Sequence, residues 1–167
     1  MKRITILGAG DPLLANEGFG IRAVEMLRQR YIFSRAVTLT AAGPESLALL
    51  VLVEQADVLI ILDAVDCAME SGALFLADDD DVPRCLASEK ASLHQSAMLD
   101  ALETARLSGR LPLHIRLVGV QPLGLENYDS ISEPVRAQIE GALAETISYL
   151  ARFGVNATPR VARFSRS

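Results

Sequence analysis

The run Val58 to Leu62 (VLIIL) has no polar break, and three of its five residues are β-branched. A strand with one wet face alternates apolar and polar residues, so an unbroken run requires burial on both faces. Strands of that kind belong to parallel sheets covered by helices. Lys2 to Gly8 (KRITILG), Ala36 to Ala41 (AVTLTA) and Leu113 to Val120 (LHIRLVGV) read as further strands, and Ala73 to Leu76 as a short edge strand. Between them lie helical patterns. Glu17 to Tyr31 carries the stripe Ile21, Val24, Leu27 and Tyr31, Ser46 to Gln55 is Leu-rich, and Ala91 to Ser108 ends at Gly109. Val135 to Leu150 follows Ser130-x-x-Glu133, a capping-box spacing. Asp78 to Pro83 reads as a loop. The alternation predicts a single-domain α/β three-layer sandwich, with a twisted, mainly parallel sheet and helices on both faces.

At 167 residues the chain has the length of one domain. We place that domain at 1–151. Residues 152–167, with Arg152, Arg160, Arg163 and Arg166 and no acids, read as a basic, flexible tail. The net charge of −5 is the wrong sign for bulk nucleic-acid binding. No apolar run is long enough to span a membrane, and Met1-Lys2-Arg3 leads into a strand without a signal-peptide core, so a soluble, cytoplasmic protein is expected. Cys67 and Cys85 form no C-x-x-C pair; they read as separate buried thiols, neither a zinc ribbon nor a disulfide framework. His94 and His114 are the only imidazoles, which excludes mechanisms needing several.

Ligands of open α/β sheets bind beyond the carboxyl ends of the strands. Three segments that bear chemistry reach that edge: the Gly-rich stretch Gly8 to Gly20, Asp63 directly after VLIIL, and Ser92-Leu93-His94-Gln95 at a helix start. The first is no dinucleotide loop, because Gly8-x-Gly10 continues Asp11-Pro12-Leu13 without the third glycine, and no G-K-[ST] makes it a P-loop. Taken singly, Glu17 reads as a helix-start acid, Asp63 as a capping residue and His94 as a helix-face histidine. Converging on one edge, Glu17, Asp63 and His94 form an O,O,N donor set suited to a divalent transition metal with open positions. His114 lies inside a strand pattern and reads as structural. Asp78 to Asp81 lacks the spacing of a calcium loop.

Ile6 to Glu25 (ILGAGDPLLANEGFGIRAVE) resembles the opening of the hydrogenase maturation proteases. So do ADVLIILDAVD (Ala56 to Asp66), SGALFL with DDDDVP (Ser71 to Pro83), SLHQ (Ser92 to Gln95) and LVGVQPLGLE (Leu117 to Glu126), in order and at compatible spacing. The resemblance implies an endopeptidase that removes the C-terminal extension of a nickel-iron hydrogenase large-subunit precursor. It implies Glu17, Asp63 and His94 as ligands to nickel carried by that substrate, with other divalent metals able to substitute, and Glu17 and Asp63 as candidate catalytic groups. It also implies a free monomer that forms a one-to-one complex with the precursor. Two departures stand out. Asn16-Glu17 replaces an acidic pair, and Ala41-Ala42-Gly43-Pro44 replaces D-G-G-T, so an acid of that family is Ala41 here. A homologue that binds precursor without cleaving it is the alternative this raises.

Overall fold

The computed structural model describes residues 2–11, 18–123 and 131–161. Strand β1 (Ile4–Ala9) is followed by α1 (Phe19–Arg30), β2 (Tyr31–Ile32), β3 (Val37–Ala42) and α2 (Ser46–Gln55). Next come β4 (Val58–Ala64), β5 (Leu74–Asp78), α3 (Asp81–Leu86), α4 (Leu93–Leu107) and β6 (His114–Val120). The described chain ends with α5 (Glu133–Arg136), α6 (Ile139–Ala151) and β7 (Thr158–Pro159). The main sheet runs β3-β1-β4-β6-β5, parallel except for the antiparallel edge strand β5. It is the α/β sandwich that the unbroken VLIIL run demanded: β4 lies inside the sheet and is buried along its whole length.

Two cores sandwich the sheet. Alternation along β4 sends Ile60, Leu62 and Ala64 toward α1 and α6, and Leu59 and Ile61 toward α2, α3 and α4. The connection from β1 through α1 to β3 leaves in one direction, and that from β3 through α2 to β4 returns past β1 to its other side. The carboxyl ends of β1 and β4 therefore flank the point where strand order reverses, the place such sheets reserve for ligands. α1 packs hard against this point. A Cβ on Gly20 would stand 1.9 Å from the Leu62 carbonyl oxygen, and one on Gly8 would stand 2.3 Å from the Gly20 oxygen. These glycines serve close helix–strand packing.

Several expectations change. The acidic segment Asp78 to Asp81 is not a loop throughout: Asp78 ends β5, Asp79 turns the chain at φ 49°, and Asp81 opens α3. Pro83 sits in the first turn of α3, where a missing N–H costs nothing. The single helix read from Val135 to Leu150 is two, α5 and α6, and Ser132 is the residue at the start of α5; Ser130 lies outside the described residues. Cys67 and Cys85 are not separate thiols but a disulfide, with Cα atoms 5.3 Å apart. Their separation of 18 gave no local signal; it is α3 that brings Cys85 to the segment after β4. Closing a loop of 18 residues is worth about 3 kcal/mol of unfolding free energy. Urea unfolding with and without reductant should show that difference, and equal midpoints would remove the link as a source of stability.

Within 152–161 the chain is docked. β7 pairs antiparallel with β2, the Arg160 N–H donates to the Arg30 carbonyl at 2.8 Å, and Arg152 lies over the Tyr149 ring. Arg116, buried in β6, donates to both oxygens of Asp78 across the β5–β6 ladder at 2.7 and 2.8 Å, and its guanidinium covers Tyr149. Those bonds hold the Asp78 carboxyl below the usual carboxylate range. A depressed carboxyl stabilises above its unfolded value, about 3.9, and loses that contribution as pH falls through its folded value. Asp78→Asn should cost roughly 1–2 kcal/mol at neutral pH, the lower part of the range because half of Asp78 stays in water. The gap to the parent chain, followed by urea unfolding at stepped pH, should close below about pH 4.

Candidate active site

Asp63 occupies the next-to-last position of β4 and continues the alternation of Leu59 and Ile61, so its side chain faces the α4 layer. There it meets His94 in the first turn of α4. His94 Nε2 lies 2.8 Å from Asp63 Oδ1, and both side chains are fully withdrawn from solvent, at 1% and 0% exposure. Ser92 caps α4, accepting from the Gln95 N–H, and its hydroxyl lies 3.0 Å from His94 Nδ1. The imidazole is therefore oriented from both sides. The buried Gln95 amide donates to the Leu86 carbonyl at 2.9 Å and ties the start of α4 to the end of α3.

The pair has the chemistry of a ligand set. Imidazole nitrogen and carboxylate oxygen are both donor types a divalent transition metal accepts, and here they are joined to each other by a 2.8 Å hydrogen bond. An ion between them would displace the proton they share, and Ser92 would keep the ring aligned as an outer partner. Among the described residues no third His, Cys, Asp or Glu completes a metal-holding group. Glu17 and Asn16 lie outside the described residues. Ala41 is exposed on β3; its register partner on β1 is Gly8, which in turn pairs with Leu62, the residue before Asp63. His114 is at the opposite end of the sheet, where its ring packs on Phe153 at 5.3 Å, a structural role.

Beside the pair opens a cleft of about 910 Å³. Its lining includes Ala64, next to Asp63, and Ser92, which touches His94, together with Asp66, Met69, Lys90 and Gln121. Sequence reasoning missed Gln121. The available signal was its place: an amide directly beyond the end of β6, at the same sheet edge as Asp63.

Residues 21–149 match the family model described as hydrogenase maturation protease. The chain belongs to the hydrogenase maturation protease family. It is 48% identical over 158 residues to the hydrogenase expression/formation protein HupM of Azotobacter chroococcum, covering 94% of this chain and 76% of that one. The hydrogenase 2 maturation protease of Escherichia coli is 38% identical over 161 residues, covering 96% and 98%. The solved structure of the hydrogenase maturating endopeptidase HybD from E. coli superposes with a TM-score of 0.89 at 36% identity, over 95% of this chain and 98% of that one. Among the described residues of this family member, no helix is long and apolar enough to cross a membrane.

Proposed function

We propose that this family member is a cytoplasmic endopeptidase that removes the C-terminal extension of a nickel-loaded nickel-iron hydrogenase large-subunit precursor. It acts as a monomer that joins its substrate one to one. Nickel enters as part of the substrate. The observation that carries the reading is the buried Asp63–His94 pair at the switch point of the sheet, in a chain whose likeness to maturation proteases spans nearly its whole length. Imidazole is a donor that nickel shares with the other late divalent transition metals, and a carboxylate beside it makes an N,O pair that nickel accepts. Asp63 and His94, with Glu17 as third donor, complete the coordination of a partly ligated ion, so stable docking depends on a loaded precursor. Attack by a metal- or carboxylate-activated water needs the fewest further groups, and no cysteine among the described residues is free to act as nucleophile.

Incubation with nickel-loaded and nickel-free precursor, followed by intact mass, tests this. Loss of the C-terminal peptide from the loaded form alone is expected; equal cleavage of both forms would refute nickel recognition. Ala41 favours a second reading, a precursor-binding protein that does not cleave. That reading predicts a stable complex with uncut loaded precursor, and recovery of cleavage on Ala41→Asp together with Asn16→Asp.

A further inference from the structure

One wall of the cleft is a short segment with no regular secondary structure, Asp66 to Met69, turned by Ala68 in the left-handed region at φ 55°. Its three successive N–H groups are satisfied by two side chains. The Gln121 Oε1 accepts from Cys67 N–H at 2.9 Å and from Met69 N–H at 3.0 Å, while Asp66 Oδ1 accepts from Ala68 N–H at 3.2 Å. Gln121 Nε2 then donates to Asp66 Oδ1 at 3.0 Å. One amide thus uses both of its ends on this segment, and it is itself 7% exposed. Its main chain is equally fixed, donating to the Ala73 carbonyl and accepting from Gly72 N–H, both extending the β5–β6 ladder. The segment is therefore registered against the rigid end of β6, and the Cys67–Cys85 link holds it from the α3 side.

We infer that Gln121 is a positioning residue for the substrate: it sets the Asp66–Met69 segment as the wall against which the extended peptide beside the scissile bond lies. This rests on the endopeptidase reading. Ala64 and Ser92, which line the cleft, adjoin Asp63 and His94, so a peptide brought to that pair would lay its flanking residues in the cleft. Its chemistry suits an extended chain. Half-exposed Met69 and Leu123 offer apolar contact, while Ser71, Ser88 and Lys90 offer polar partners. Asp66 is kept charged by the Gln121 amide and the Ala68 N–H, with Lys90 adding a smaller attraction. A carboxylate in place of the Gln121 amide would still accept from Cys67 and Met69 but would face Asp66 as a like charge.

The test is steady-state cleavage of nickel-loaded precursor by the parent chain, Gln121→Glu, and the exchange Asp66→Asn with Gln121→Glu. Direct binding of fluorescently labelled precursor is measured on the same three proteins. Gln121→Glu should raise KM, and the binding Kd with it, about 10- to 100-fold while kcat stays within about threefold. The exchange removes the repulsion and should recover most of that loss, which a generally misfolded variant would not do. Unchanged KM, or a fall in kcat alone, overturns the inference. If the parent chain binds the precursor without cutting it, the endopeptidase reading fails while the Kd comparison still decides the role of Gln121. If the parent neither binds nor cuts, both fall.

Discussion

Asp63→Asn should abolish cleavage of the precursor while leaving the fold intact. The asparagine retains an oxygen to accept from His94 Nε2 at the observed 2.8 Å, so the buried imidazole keeps a partner. What is lost is the negative charge on which the proposed ligand and base roles of Asp63 depend. Outer partners of metal sites typically cost 10- to 100-fold when removed; a direct ligand should cost at least about 10²-fold. Asp63→Ala should lose activity equally and, by stripping the buried ring of a partner, about 1–3 kcal/mol of stability as well. Comparing the two by intact mass and urea unfolding separates chemistry from folding. Activity of Asp63→Asn within about tenfold of the parent would remove Asp63 from the reaction.

The largest effect on folding is expected at Gly20. A methyl group there would meet the carbonyl oxygens of Leu62 and Ala9 at 1.9 and 2.6 Å, both main-chain atoms of central strands. Neither can retreat by a rotamer change. The helix α1 must lift away from β1 and β4, opening the core formed by Phe19, Ala23, Val24 and Leu27 against the sheet. Overpacking usually costs 1–3 kcal/mol, and with an immovable neighbour Gly20→Ala should reach about 4 kcal/mol or more. In a domain this size that lowers Tm by roughly 10 °C or more. A Tm within about 2 °C of the parent would mean that α1 is seated more loosely than the structure has it.

The parts of this molecule legible in its sequence are those governed by short-range pattern. VLIIL announced a strand buried on both faces, and the residue following it, Asp63, fell at the ligand edge. The helical pattern from Ala91 to Ser108 located α4 and put His94 near its start, while the Ser92 cap emerged only in the structure. The glycines at 8 and 20 were visible, but their purpose was not, since it lies in a contact between elements eleven or more residues apart. The disulfide failed to show for the same reason: nothing local relates Cys67 to Cys85 until α3 folds against the end of β4. α3 itself was hidden by its acids and Pro83, which resemble a loop unless the proline is read as a first-turn residue. Gln121 carried no periodicity at all, and its meaning rests on three hydrogen bonds to a segment more than fifty residues earlier.

The β2–β7 ribbon decides how this protein can be handled. α1 begins against the ends of β1 and β4, at the same end of the sheet as the Asp63–His94 pair but on its other face, and runs about 18 Å back along the sheet before reaching Arg30. Arg160 is anchored there, so the polypeptide leaves its last described strand at the pole opposite the cleft. A dye or a surface-coupling group attached at residue 161 would hold the molecule with its cleft facing outward. Immobilised in that orientation, one preparation would test both capture of the proposed precursor and release of a trimmed product.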